Sequence, residues 1–153
     1  MFVILQVTKN ENAMDHVHYY DTCIRWDADR KGIARSSVLD QSIEIATPPE
    51  FTKGMAGIWS PEHLFVAAVN SCLMTTFLAI AENSKLEFED FSCKAKGTLD
   101  QVEGKYLMTE ILVEPVLTIL REEDHDKAER ILQKSEAACL ISNSIKAKVT
   151  MKP

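Results

Sequence analysis

Four cysteines are the residues most able to do chemistry in this chain: Cys23, Cys72, Cys93 and Cys139. No two of them form a Cys-x-x-Cys pair, and the four histidines do not join them at metal-ligand spacing, so we expect no metal and no cofactor. With no signal peptide ahead of them, we expect a reducing, cytoplasmic compartment without permanent disulfides. Each cysteine is therefore either an inert packed thiol or a reactive one, and reactivity requires the thiolate.

Length and composition indicate one globular domain over residues 1–153. Hydrophobic residues make up 46% and charged residues 26%, as in an ordinary soluble protein. The formal net charge of −6 leaves no basic excess for phosphates, which argues against nucleic-acid binding. The longest apolar stretch, residues 64–81, approaches the length of a membrane span. Because polar residues such as Asn70 and Ser71 interrupt it, we expect a helix buried in protein and no membrane contact.

Alternating patterns predict several strands. Residues 1–7 and 19–34 have strand character, the second stretch with a hairpin turn at residues 29–32, and another strand is expected over 38–46. Residues 91–99 place Phe91, Cys93 and Ala95 on one face, which is typical of a half-exposed strand. A turn at Glu103-Gly104 predicts an antiparallel partner over 106–113, and the last strand is expected at 146–152.

Two helices separate these strands. Ser60 is suited to cap the first, Pro61 to its first position and Glu62 to the positive end of its dipole, and we expect it to run to about Glu82. The second is predicted over 122–138, with Ala128, Ile131, Leu132 and Ser135 as its inner face. This order of elements indicates an α+β fold. Because the first helix is apolar nearly all round, one sheet cannot cover it, and we expect a homodimer.

Ser60-Pro61-Glu62 leads to Ser71-Cys72, and Ala138-Cys139-Leu140 follows later in the chain. These two segments resemble motifs of the OsmC/Ohr family, the osmotically inducible and organic hydroperoxide resistance proteins. The segment from Ser60-Pro61-Glu62 to Ser71-Cys72 resembles the family's Pro-Glu helix start with a cysteine ten residues after the glutamate. Residues 138–143, Ala-Cys-Leu-Ile-Ser-Asn, resemble the second cysteine motif. Residues 29–34 resemble the family's Gly-Arg-Asp-Gly segment, which makes Arg30 the candidate active-site arginine, with Arg25 and Arg35 as nearby alternatives. Leu73 and Leu140 depart from the aromatic residue and the proline that many relatives carry.

The resemblance implies an OsmC-like fold, with antiparallel sheets around a buried central helix in an intertwined homodimer. It also implies a peroxidase that reduces organic hydroperoxides, in which Cys72 attacks the peroxide and Cys139 resolves the product to a disulfide. Arg30 would favour the thiolate, Glu62 would orient the guanidinium, and a lipoyl-type dithiol would restore both thiols.

Helix geometry adds one constraint to this site. Glu62 and Cys72 lie about 15 Å apart if they share one straight helix. They cannot reach one small substrate within a single chain, so we expect the site to lie at the subunit interface.

Simpler interpretations accompany each candidate. In these interpretations Cys72 is a core packing residue, Glu62 complements the helix dipole and Arg30 is an exposed turn residue. Cys23 and Cys93 are taken as structural, and Trp59, Met55 and Phe65 as pocket or packing residues. A non-enzymatic dimer that binds a small apolar or thiol ligand is the alternative function, favoured by the departures at Leu73 and Leu140.

Overall fold

Two three-stranded sheets and three helices make up the described part of the chain, which is residues 16–153 of a computed structural model. The first sheet contains β1 (Cys23–Ala28), β2 (Lys31–Arg35) and β3 (Ile43–Ala46). The second contains β4 (Phe88–Val102), β5 (Lys105–Ile119) and β6 (Lys148–Met151). The helices are α1 (Pro61–Asn83), α2 (His125–Ala138), which follows a 3₁₀ turn, and the short α3 (Leu140–Asn143). The α+β class is thus confirmed, while the strand expected at residues 1–7 lies outside the described residues.

The expectation of purely antiparallel sheets is wrong at one strand. β4 pairs with β5 as a long antiparallel hairpin, but β6 lies parallel to β5, with Ile111 opposite Val149. The helices α2 and α3 connect β5 to β6, and a crossover of this length returns the chain in the same direction.

The first sheet begins with the predicted hairpin. β1 and β2 are antiparallel, and the turn between them contains Asp29, whose φ of 48° is left-handed, and Arg30. β3 is shorter than the predicted strand over 38–46. Its first predicted residues form a turn instead, in which the N–H of Leu39 donates to the carbonyl of Ser36 at 3.3 Å.

The start of α1 follows from its first four residues. Ser60 is fully buried, and its Oγ accepts a hydrogen bond from the N–H of His63 at 3.3 Å and lies 2.8 Å from His63 Nδ1. Pro61 occupies the first turn, where its missing N–H costs nothing. The predicted cap at Ser60 is therefore confirmed, and it sets the position of Glu62 two residues further on.

α1 is long and apolar enough, by composition alone, to cross a membrane. In the fold, one side of it packs into two core clusters against β4, β5 and α2. Phe77 stacks on Phe91 with the ring centroids 4.6 Å apart in the first cluster, and Leu73 lies with Ile111 and Val113 in the second. All four residues predicted for the inner face of α2 are buried. The departure at Leu73 is thus a core residue.

Gly97 allows α1 to approach β4 closely. A Cβ at this position would lie 2.5 Å from both Met108 Cε and Val66 Cγ2, which no methyl group can do without displacing one of them. Val66 is β-branched and stiff, so it cannot turn away at low cost.

We predict that Gly97→Ala destabilises the fold by about 1–3 kcal/mol, because the added methyl overpacks the contact between α1 and β4. The measurement is the free energy of unfolding in urea. Thr98→Ala, at the exposed neighbouring position, is the control and should change stability by less than about 0.5 kcal/mol. Equal stability of the two variants would contradict the close contact.

Candidate active site

Cys72 and Cys139 meet in the interior of the fold. Cys72 lies in the middle of α1 and Cys139 at the junction of α2 and α3, and they are only 9% and 1% exposed. Their side chains are in hydrogen-bond contact, and both are free thiols. The two segments that resemble the cysteine motifs are therefore brought together by the fold.

The position of Cys139 follows from a sharp change in backbone direction between α2 and α3. Its φ of −64° and ψ of 105° end α2, while its carbonyl accepts from the N–H of Asn143 at 3.0 Å and so begins α3. The side chain of Asn143 donates to the carbonyl of Ala137 at 3.0 Å and fastens the two helices together. This sharp change of direction presents the thiol of Cys139 to α1.

Hydrogen bonds make Cys72 the more acidic thiol. Burial raises its pKa, but donors from the N–H of Ile141, the thiol of Cys139, the hydroxyl of Thr76 and the N–H of Leu140 outweigh burial and hold that pKa below the usual value. Donors that bind the charged form of a group stabilise that form. Leu140 supplies an N–H that proline lacks, so this departure from the family pattern adds a donor to the sulfur.

Cys139 is shifted in the opposite direction. Burial raises its pKa, the hydroxyl and N–H of Ser142 lower it, and the adjacent Cys72 raises it, with a net increase. The pair is thus polarised, because its surroundings favour a negative charge on Cys72 over one on Cys139.

Arg30 and Glu62 form a second pair away from the cysteines. Both line a cavity of about 430 Å³ between the first sheet and the start of α1, and neither Cys72 nor Cys139 lines it. Arg25 and Arg35 are not among its lining residues. In the described part of the chain Arg30 makes no ion pair, whereas its neighbour Lys31 is held by Asp27 at 3.0 Å and Glu44 at 2.7 Å. Geometry thus associates Arg30, of the three arginines, with Glu62.

Glu62 also faces a larger cavity of about 710 Å³, whose walls include Trp59, Asn70 and Tyr106. Glu62 Oε2 and Asn70 Oδ1 are buried and have no hydrogen-bond partner among residues 16–153. A buried acceptor left unpaired costs free energy, so both oxygens favour an occupant with hydrogen-bond donors. Of the apolar residues proposed for a pocket, Trp59 lines this cavity, while Phe65 packs in the core and Met55 lines neither cavity.

The two other cysteines stand apart from both pairs. Cys93 is half-buried on β4 and packs against the second core cluster, as expected of a structural residue. Cys23 is exposed on β1, so burial does not explain it.

Comparison with known proteins identifies the family of this chain. The family model described as OsmC-like protein matches residues 54–153, which contain both cysteines and Glu62. The chain belongs to the OsmC-like family. It is 25% identical over 139 residues to the uncharacterized protein YmaD of Bacillus subtilis (strain 168), covering 88% of this chain and 91% of that protein.

Solved structures share this OsmC-like fold. An OsmC-like protein of unknown function from Vibrio cholerae aligns with a TM-score of 0.78 at 21% identity, covering 89% of this chain and 99% of the other. An organic hydroperoxide resistance protein from Legionella pneumophila aligns with a TM-score of 0.69 at 24% identity, over 89% and 96% of the two chains. For OhrB of Bacillus subtilis the TM-score is 0.62 at 18% identity, over 88% and 98%. At these identities the likeness establishes the fold.

Sequence reasoning did not identify the donors around the sulfurs in this OsmC-like chain. Thr76 lies one helical turn after Cys72, and Ser142 lies three residues after Cys139, where a hydroxyl returns to the residue at the start of the turn. Both spacings are visible in the sequence, but each is common in helices that contain no functional site, so neither identifies a donor by itself.

We predict that iodoacetamide alkylates Cys72 with a lower pH midpoint in the folded protein than in the same protein unfolded in urea. The donors around Cys72 exist only in the fold, and alkylation reports the thiolate fraction. The measurement is the extent of alkylation at each cysteine by mass spectrometry across a pH series.

Cys93 provides the internal control. Burial raises its pKa above the ordinary value, so its midpoint should move upward on folding. A Cys72 midpoint that rises on folding together with that of Cys93 would contradict the polarised pair.

Proposed function

We propose that this protein is a cysteine-based peroxidase that reduces organic hydroperoxides and belongs among the enzymes of its family. The observation that carries this proposal is the contact between Cys72 and Cys139, in which one sulfur is stabilised as a thiolate and the other is in place to react with it.

The chemistry follows from the two sulfurs. The Cys72 thiolate attacks the outer oxygen of the hydroperoxide, the O–O bond breaks, and an alcohol leaves after taking up a proton. The resulting sulfenic acid is attacked by Cys139, which forms the disulfide and releases water. An external dithiol of the lipoyl type then attacks the disulfide and returns both thiols.

A second chain is proposed to complete the site. Glu62 and Cys72 share the one helix α1 and are separated by ten residues, or about 15 Å along its axis. Within one chain, Arg30 and Glu62 line a cavity that the cysteines do not reach. In a homodimer, the Arg30 and Glu62 of one chain can face the Cys72 of the other, where the guanidinium would stabilise the thiolate and the peroxide oxygens.

The uncovered surfaces of the chain support this assembly. The side of α1 opposite the core exposes small and apolar residues, among them Ala68, Met74 and Leu78. On β1, Ile24 and Trp26 are 66% and 74% exposed. Contiguous apolar surface of this kind on a soluble protein marks an interaction face.

One observation favours the alternative function, a dimer that binds a small apolar ligand without turnover. The larger cavity, with Trp59 and Tyr106 in its walls, is not lined by Cys72 or Cys139. Its volume of about 710 Å³ lies in the range of ligand sites. Peroxide-dependent thiol loss separates the two functions, because ligand binding alone consumes no thiol.

We predict that one equivalent of cumene hydroperoxide converts the reduced protein to a form with two fewer thiols and two fewer mass units. Cys72→Ser should be inert, and Cys139→Ser should stop at a sulfenic acid on Cys72 that dimedone traps. The measurements are thiol titration and intact mass, with Cys93→Ser as the control that should behave like the unmodified chain. Retention of all thiols over minutes would reject the peroxidase and favour the ligand-binding dimer.

We further predict that Arg30→Ala slows oxidation of Cys72 about tenfold or more, because a charge-assisted contact to the thiolate is lost. Arg25→Ala and Arg35→Ala are matched controls in the same sheet and should react at the original rate. Mixing Arg30→Ala with Cys72→Ser, after exchange of subunits, should restore roughly one site in four, since half of the dimers then contain one intact site. No recovery in verified mixed dimers would place Arg30 and Cys72 in the same chain's site.

A further inference from the structure

Ser142 lies outside the candidate pairs but contacts the sulfur of Cys139 directly through its hydroxyl. Its Oγ donates to Cys139 Sγ at 3.1 Å, within the first turn of α3. The N–H of Ser142 also donates to the same sulfur. Cys139 thus receives two hydrogen bonds from a single residue.

We propose that Ser142 assists the second half of the reaction by stabilising the negative charge that develops on Cys139 as it attacks the oxidised Cys72. This proposal rests on the proposed function, in that the oxidant is the organic hydroperoxide. Ser142 is therefore assigned to the resolving step and not to the attack on the peroxide.

The need for such a donor follows from the surroundings of Cys139. The residue is 1% exposed, so water cannot solvate a thiolate there, and burial raises the pKa of this thiol. A thiol is a poor nucleophile, so Cys139 must lose its proton as it attacks. A hydroxyl already aimed at the sulfur strengthens its hydrogen bond as charge develops, without reorganisation at that moment.

The atoms of this step balance as follows. A lone pair on Cys139 Sγ attacks Cys72 Sγ, the S–S bond forms and the S–O bond of the sulfenic acid breaks. The hydroxide leaves and takes up the proton of Cys139, so water is the product. One sulfur is oxidised and the other reduced by the same amount, and the Ser142 hydroxyl keeps its own proton throughout.

The same short helix provides a matched control. Ser144 also donates its hydroxyl hydrogen bond within this turn, but to the carbonyl of Leu140 at 2.7 Å and not to a sulfur. Removing either hydroxyl deletes one hydrogen bond of α3, whereas only Ser142→Ala removes a donor from Cys139. The difference between the two variants isolates the chemical role from the structural one.

The experiment follows both steps by rapid quench after addition of cumene hydroperoxide in the presence of dimedone. We expect Ser142→Ala to form the sulfenic acid at the original rate, to make the disulfide about tenfold more slowly, and to accumulate more dimedone adduct on Cys72. Ser144→Ala should resolve at the original rate, and Ser142→Thr should restore resolution because it returns a hydroxyl. Resolution by Ser142→Ala at the original rate, or slowed only as much as by Ser144→Ala, would overturn the proposal.

A second route tests Ser142 without any peroxide. The thiolate of Cys72 attacks dithiodipyridine and releases one thiopyridone, and Cys139 then displaces the second from the mixed disulfide. The second release is intramolecular and should slow about tenfold in Ser142→Ala alone. If cumene hydroperoxide does not oxidise the protein but Ser142→Ala still slows this release, the proposed peroxidase activity is rejected while the proposed role of Ser142 is supported. If the release is unchanged, the role of Ser142 fails whatever the peroxide result.

Discussion

The contact between two buried thiols, Cys72 and Cys139, is the interaction on which the rest of the structure depends. A thiolate in a protein interior is costly unless donors surround it, and Cys72 obtains its donors from a hydroxyl on α1 and from N–H groups at the start of α3. The break at Cys139 that ends α2 is what turns those N–H groups toward α1. The donors that lower the pKa of Cys72 therefore depend on two features. These are the junction of α2 with α3 and the packing of that junction against the middle of α1.

The length of α1 determines how far Glu62 lies from Cys72. A helix that begins at Pro61 and carries Cys72 three turns later holds Glu62 too far away to share one substrate with that sulfur. Phe77 and Leu73 pack this helix against the sheet and α2. This separation is the reason for the homodimer proposed above, and the uncovered apolar side of α1 is the surface proposed for it. The unpaired Glu62 oxygen needs a donor, which Arg30 in the shared cavity or the second chain of the proposed dimer could supply.

The departures from the family pattern have different meanings once the fold is known. Leu73 is fully enclosed in the core, where an aromatic residue would need more room, so it is a packing variation. Leu140 is 66% exposed, yet its backbone contributes to the site through an N–H that a proline could not provide. A substitution that argued against peroxidase activity in the sequence therefore adds a hydrogen-bond donor to Cys72.

The elements of this protein were largely determined by local sequence. Ser60 and Pro61 specify the start of α1, Glu103-Gly104 the turn of the long hairpin, and the periodic apolar residues of α2 its inner face, because capping, turn and amphipathic preferences act over a few residues. Tertiary structure decided the parallel pairing of β6, the short β3 and the placement of Arg30 in one cavity with Glu62. It also decided the hydrogen bonds that polarise Cys72 and Cys139. These features join segments far apart in the chain, and the pKa of a buried thiol depends on which donors the complete fold brings to it, which no short stretch of sequence contains.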